Sequence, residues 1–555
     1  MKPNKLMIAV IALATVLASC TKLNESLNSS LTNTQTANAL GAQGVALLLQ
    51  AAYADVGGPF TAQDLVFSLQ ENTTDESLVP TRGGDWDDNG VWRVVHNHTW
   101  NANHSQVLNV FNALNKLNFD ATNVLAFKPS DAQAAQAKFL RALSLYFLLD
   151  LYNQYPFRNP GDNLLNAPEV KTGAAASQFI IDELTGAMAN LPTTGGPSVA
   201  TQDAAKVLLM KTYLNRGMFA NRTAPTFADA DMQQVITLGN QIISGGKYSF
   251  ASEYFNNFIA GNNGGPESIF AYANASGVSA NNSGINGRWC MTTHYNTNAS
   301  KAPNAGWNGF STIGDFYNSF GASTAMVGVN NFASDNSGLY KDTAVDKRIG
   351  GRYYKGLTDV IGMKPGFLIG QQFNADGTKQ KDRKGAPLAF DPTIASTMIE
   401  TGANLEVTGI RIVKYVPDVA SGDYWGGPAG NWLQIFRYSD VVLMVAEAKM
   451  RAASADNAGA LVLVNGLRAA RGAAALASLP LVNKTNVDDP NTLLAERGRE
   501  LYWESVRRTD LLRFGVFNVI WQYKPTDDSH YNVFPIPTQA LASNPNLKQN
   551  PGYAN

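Results

Sequence analysis

Apolar residues recur at helical spacing through most of the chain up to Ser249, lose that spacing between Tyr254 and Gln434, and recover it afterwards. The pattern predicts helices over Ala39–Ala54, Val107–Leu117, Asp131–Tyr152, Ala174–Leu191, Thr201–Met218 and Ala228–Ser244 in the first part. It predicts two more over Phe436–Arg451 and Ala458–Arg471. The clearest instance is Ala137–Leu151, where Phe139, Leu140, Leu143, Tyr146, Phe147 and Leu151 fall on one broad face. Asp131, after Pro129-Ser130, supplies an acidic first turn, and Pro156 is expected to end the element. Gly217 and Gly245-Gly246 read as stops for the two helices between Ala204 and Ser249, and Gly472 as the stop after the last.

The pairs Ala204–Ser249 and Phe436–Arg471 resemble tetratricopeptide repeats, whose period is about 34 residues, with loose residue matches. Between them the texture turns to Asn, Gly and Ser with scattered aromatics, as in Asn262-Asn263-Gly264-Gly265 and Asn281-Asn282-Ser283-Gly284. Long loops inside a compact protein tend to carry function, so this insertion and the loop from Glu71 to His104 are where a binding surface is expected.

The chain opens with Lys2 and Lys5 ahead of the uncharged apolar run Leu6–Val16, an export leader too short to span a bilayer. Leu17-Ala18-Ser19-Cys20 looks like a lipobox, which makes Cys20 the acylated first residue of the mature chain. The alternative is ordinary secretion with Cys20 incidental. Thr21–Thr36 is polar, a tether or early wrapping strand, and the folded body is expected to start near Ala37. No later stretch approaches the length of a span, so acyl chains rather than a helix are expected to hold the protein to the membrane. Cys290, the second of two cysteines, has no intrachain partner once Cys20 is acylated, so disulfides contribute nothing. Lys and Arg number 43 and Asp and Glu 44, a balance that attracts no polyanion and argues against nucleic acid. With 45% hydrophobic and 16% charged residues, the surface is largely neutral and polar, which suits hydroxyl-rich partners.

Eight motifs stand in order: PTRGGDW (Pro80–Trp86), AKFLRAL (Ala137–Leu143), GKYSF (Gly246–Phe250), GWNGF (Gly306–Phe310), FRYSDVVLMVAEA (Phe436–Ala448), ERGRELYWESVRRTDLLRFG (Glu496–Gly515), FPIP (Phe534–Pro537) and NPNLKQNPGY (Asn544–Tyr553). This ordered set resembles the SusD/RagB family of outer-membrane nutrient-binding lipoproteins over nearly the whole chain. The resemblance implies an α fold, four tetratricopeptide-like helix pairs forming an αα superhelix, with large irregular loop insertions carrying little β structure. It implies a leader over 1–19, an N-terminal helical part over 20–250 and a C-terminal part over 251–555 packed with it as one unit. It also implies a lipid-anchored protein on the outer face of the outer membrane, capturing oligosaccharides for a SusC-like TonB-dependent transporter, with no cofactor and no catalysis. One departure is that Thr21-Lys22-Leu23-Asn24 precede the first acid, Glu25, where the family carries an acidic export signal after the cysteine.

A pyranose presents C–H groups on its faces and hydroxyls around its rim, so a sugar site combines aromatic plates with planar polar side chains. Arg82, Asp85 and Trp86 around Gly83-Gly84 fit that need, and Trp100 with Asn103 repeats the combination. The bland alternative is a loop pinned by a half-buried Trp and an Arg82–Asp85 ion pair. Tyr295, Trp307 and Asn308 could complete the arc, unless Trp307 and Phe310 merely pin the insertion to the helical body; Trp289 and Trp425 are weaker candidates. His96, His98 and His104 cluster, but nothing nearby completes a tetrahedral zinc set, so no metal is expected. Glu500 and Glu504, one helical turn apart, superficially resemble a glycosidase pair; flanking arginines and a shared helix argue for an ion-paired structural element instead. No phosphate loop, nucleophile elbow or H-E-x-x-H occurs. The alternatives left open are a peptide-binding member of the same family and a secreted glycosidase.

Overall fold

The computed structural model describes residues 33–261, 263, 265–275, 284–297, 306–321, 346–419, 429–482, 485 and 487–554. The leader, Cys20 and Trp425 lie outside the described residues. Eight long helices form the frame: α1 (Asn33–Asp55), α2 (Ser105–Ala126), α3 (Asp131–Tyr152), α4 (Gly173–Ala187), α5 (Gln202–Ala220), α6 (Asp229–Ser244), α7 (Tyr438–Arg451) and α8 (Asn457–Ala470). Each packs on the next in the series, so four helix pairs stack as a tetratricopeptide-like superhelix. None of the described helices is long and apolar enough to cross a membrane.

Side-chain caps add to the apolar spacing at the N-termini of α3, α5 and α8. Ser130 caps α3 by accepting the Gln133 N–H at 3.3 Å while the Gln133 side chain takes the Ser130 N–H at 3.0 Å, a reciprocal capping box. Thr201 and Asp456 cap α5 and α8 in the same sense. The stops differ from those read in the sequence. Asn153, at φ 58°, ends α3 in the left-handed region, and Pro156 lies in the strand beyond. Gly217 does not stop α5; it sits inside the helix because a Cβ there would meet the Thr226 carbonyl oxygen at 1.8 Å.

α3 also exceeds its predicted amphipathic face. Every residue from Phe139 to Tyr152 is buried, since α1, α2, α4 and α5 surround it. Its polar members are satisfied there: Arg141 grips Glu183 with its Nε at 3.0 and 3.1 Å from the two oxygens, Ser144 donates to the Leu114 carbonyl, and Asp150 accepts from Gln70 and Thr509.

β structure is confined to two-stranded ladders among the described residues. They pair β1 (Thr81–Arg82) with β8 (Ile399–Glu400), β2 (Gln154–Phe157) with β3 (Glu169–Thr172), β4 (Ser268–Tyr272) with β10 (Leu433–Arg437), β5 (Gly366–Leu368) with β9 (Arg411–Val413), and β6 (Gly370–Gln371) with β7 (Ala389–Phe390). The β4–β10 ladder closes the neck of the irregular insertion, whose two ends therefore meet beside the frame. That closure delivers α7 against α6, where Gly239 leaves no room for a Cβ because Val445 would stand 2.2 Å away.

Candidate functional site

The PTRGGDW loop folds as a tight hairpin. Arg82 and Asp85 exchange backbone hydrogen bonds at 2.8 and 3.3 Å across Gly83, at φ 71°, and Gly84. Trp86 follows at φ 61°, a strained conformation for a bulky residue, and its Nε1 donates to the Trp307 carbonyl at 2.8 Å. The GWNGF segment is threaded beneath it: the Trp307 N–H donates to the Cys290 carbonyl at 2.7 Å, and the Asn308 N–H to that of Thr293 at 2.8 Å. Both glycines of the motif are sites of close approach. A Cβ on Gly306 would meet the His294 carbonyl oxygen at 2.2 Å, and one on Gly309 the Trp86 ring at 2.3 Å. Trp86 therefore packs edge-on to Trp92 and Phe310, with ring centroids 5.3 and 5.4 Å away, and lies 6.4 Å from Trp307. Phe310 is buried and does pin the insertion to the body; Trp86 and Trp307 remain half-buried.

Beside these indoles stands a charged group brought together from four segments. The Tyr295 hydroxyl donates to the Asp85 carboxylate, and burial followed by that acid pushes the phenol up to about 12. The Arg383 guanidinium lies 3.8 Å over the Tyr295 ring centroid while its Nε donates to Glu406 at 2.7 Å. Glu406 also meets His294 Nε2 at 2.8 Å. Burial alone would raise the Glu406 carboxyl; the Arg383 backbone and side chain, then His294, overcome it and hold the group below its ordinary value. Burial lowers the His294 imidazole to about 4 despite its acid partner. Arg383 keeps a side chain 51% exposed, and Asp85 is exposed, so a guanidinium stacked over one face of the phenol ring and a carboxylate at its hydroxyl both reach solvent. Nothing local in the sequence marks Arg383, Glu406 or His294, whose partners lie up to 112 residues apart.

Other residues singled out in the sequence point elsewhere. Arg82 forms no ion pair with Asp85; its guanidinium turns inward to the Thr408 carbonyl and hydroxyl and to Ser311 at 2.8, 3.0 and 3.2 Å, and burial lowers it to about 10. Asn308 is fully buried and accepts from Arg411 at 3.0 Å. Trp100 is 3% exposed, bonded through Nε1 to the Tyr553 hydroxyl and packed on Phe534, so no face of it is open to a ligand. Asn103 is exposed, but its Oδ1 accepts from Thr538 at 2.8 Å, beside the C-terminal segment and apart from the Tyr295 cluster. Trp289 is buried. His96 and His104 bind backbone carbonyls, and His98 binds Asp527 and the Thr73 carbonyl.

The acidic and basic run at Glu496–Arg513 builds two short helices, α9 (Leu493–Leu501) and α10 (Arg507–Arg513). Glu504 was expected one turn after Glu500 on the same helix. It lies outside it, because the chain leaves α9 through Trp503 and Ser505 at φ 58° and 63°. Glu500 receives Arg471 at 2.7 Å and Arg437 at 3.1 Å, and Glu496 receives Arg348, Arg468 and Arg499 at 2.6–2.8 Å, all in the interior. Burial would raise the Glu500 carboxyl, but Arg471, Arg437 and Arg348 outweigh it and hold the group at about 2. A general acid needs the opposite shift.

With this geometry in view, a family model described as the SusD family matches residues 266–553. The chain belongs to the SusD family. It is 24% identical over 511 residues to the starch-binding protein SusD of Bacteroides thetaiotaomicron, covering 88% of this chain and 85% of that one. Among solved structures, a SusD-like protein from Bacteroides fragilis superposes with a TM-score of 0.66 at 18% identity, covering 92% of this chain and 97% of its own. Surface glycan-binding protein A from Bacteroides thetaiotaomicron, solved with laminarihexaose, gives 0.60 at 15% identity over 92% and 99%. At those identities the likeness is one of fold. This SusD-family chain shares the helical frame of those structures, and the residues matched by the family model include its own GWNGF segment and arginine–glutamate interior.

Proposed function

We propose that this SusD-family protein is a non-catalytic glycan-binding lipoprotein of the outer membrane, anchored through Cys20, which captures oligosaccharides on the Trp86–Tyr295–Trp307 surface and passes them to a SusC-like TonB-dependent transporter. The observation that carries this reading is the pairing of half-buried indole and phenol rings with an exposed carboxylate, Asp85, and a half-exposed guanidinium, Arg383. Aromatic faces take the C–H side of a pyranose, while an acceptor and a fork of donors bracket its rim hydroxyls. Two relatives whose names specify a ligand, one starch-binding and one seen with laminarihexaose, support a glycan over other cargo. The leader and Leu17-Ala18-Ser19-Cys20 support the anchor. The inward, arginine-bound Glu500 supports binding without turnover.

The experiment is a titration of the purified protein against a panel of oligosaccharides, following heat, tryptophan emission and product release. The reading requires binding to at least one glycan, with the emission change lost in Trp307→Ala and no new reducing ends. Release of shortened sugars would sink it.

A further inference from the structure

A second cavity, of about 370 Å³, lies between α2, the loop 158–168 that joins β2 to β3, and the C-terminal segment around 540–547. None of its lining residues belongs to the Trp86–Tyr295–Trp307 surface, and its size falls within the roughly 300–1,000 Å³ range of small-ligand pockets. The wall supplied by α2 carries Asn115, Phe119 and Asn123, spaced four residues apart and so stacked along one face, an aromatic ring with an amide above and below it. Adjacent levels stand about 6 Å apart along the helix axis, the scale of a single sugar ring. Phe119 is 44% exposed, and Leu164, also lining the cavity, is exposed as well.

Most polar side chains that line the cavity are uncharged amides and hydroxyls. Its one arginine, Arg158, donates to the Asn163 and Leu164 carbonyls at 3.1 and 3.4 Å, and Asp162 accepts the Asn159 N–H at 2.7 Å, so both charges hold the loop's own turn. Asn544, only 5% exposed, lines the cavity with half of its amide spent: Oδ1 accepts the Asn546 N–H at 3.1 Å, while Nδ2 finds no acceptor among the described residues. A buried donor left unpaired is costly, and a ligand oxygen that drew the Asn544 amide toward the cavity would satisfy it.

We propose that this groove is a second carbohydrate site, taking one neutral pyranose unit with its C–H face on Phe119, its hydroxyls between the Asn115 and Asn123 amides, and one oxygen accepting from Asn544. The inference rests on the glycan reading above for its ligand class and on nothing else in that site. Two sites on one chain would hold a long glycan more tightly than either alone, by raising the effective concentration at the second.

No tryptophan lines the groove, so its occupancy is silent in emission and separable from the first surface. The test uses the full chain in mild detergent, titrated calorimetrically with maltohexaose and with laminarihexaose while emission is recorded, alongside Phe119→Ala, Asn123→Ala and the double variant Tyr295→Ala/Trp307→Ala. The expected result is heat that persists without an emission change in the double variant and weakens at least tenfold in Phe119→Ala and Asn123→Ala, with melting curves unchanged. Emission-silent heat that is indifferent to Phe119, or its absence for both hexamers up to millimolar concentration, overturns the second site. If emission-linked binding fails while the silent heat remains, the Trp86 surface is at fault and the groove stands.

Discussion

Trp86 is held at a positive φ by what surrounds it: the Gly83-Gly84 turn before it, the Trp307 carbonyl on its nitrogen and the bare Cα of Gly309 under its ring. Strain of this kind persists only where the neighbourhood over-determines it, and it gathers at binding sites. Gly309→Ala is therefore expected to lift the indole from its seat and weaken glycan binding at least tenfold, while the melting temperature moves by only a few degrees; calorimetry and thermal melts of one preparation check both. Tyr295→Phe removes a hydrogen bond to Asp85 that the free protein already makes, so it should lower stability by about 0.5–1.5 kcal/mol, read from the urea midpoint. At this scale the sequence was informative about residue type and silent about direction. Arg82 and Trp100 have the chemistry of a sugar site, but a buried guanidinium in a two-residue hairpin and a Trp facing the C-terminal segment obey contacts more than 300 residues away in sequence. The close approach at Gly306 and Gly309, by contrast, shows only in the fold.

Helices were the most legible level, because caps and periodicity are local. α3 was predicted to the residue at both ends, yet the physical stop is Asn153 rather than Pro156, and the helix is buried all round rather than on one face. Periodicity detects the strongest apolar stripe. It cannot detect that Arg141, Ser144 and Asp150 will be satisfied inside. Ser130→Ala, which removes half of the capping box, should cost about 1 kcal/mol, visible as a shift of the urea midpoint without a change in slope. Gly239 marks the joint between helices that the sequence separates by the whole insertion. Gly239→Val should drive α6 off Val445 of α7 and lower the melting temperature markedly, whereas the same change at exposed Gly186, where a Cβ meets nothing within 4 Å, should leave it unchanged or raise it slightly, since valine is the better helix former.

Across the whole molecule, the distant parts of the chain are tied by buried charge. Glu267 and Glu500 share Arg437 and Arg471, so the start of β4, the end of β10, the end of α8 and α9 meet on four side chains with almost no exposure. Removing one partner, as in Arg471→Met, leaves a buried carboxylate uncompensated and should cost about 3–5 kcal/mol. The acid limit of stability follows from the same groups. Glu500 and Glu447 are held at about 2, below their unfolded value, so their contribution is complete above about pH 4.5 and is lost as pH falls toward 2. Glu71 has the opposite sign: burial pushes it up to about 8, so its contribution is complete below about pH 4.5 and is lost as pH rises through 8. Thermal melts at about pH 3, 5 and 8 should show a steep acid loss in wild type and in Glu71→Gln alike, with the alkaline decline smaller in the variant. The frame and this ionic interior were foreshadowed by ordered motifs; the assembly of Arg383, Glu406 and His294 around Tyr295 was not, since it depends on how the irregular insertion folds back on itself.

The most direct test of the central claim is tryptophan emission of the purified protein during titration with a panel of neutral oligosaccharides, repeated on Trp307→Ala and Tyr295→Ala. A saturable emission change with at least one glycan, abolished in both variants while their melting curves stay within a few degrees of wild type, is the predicted result. Saturable binding that survives both substitutions with its emission change intact would contradict it.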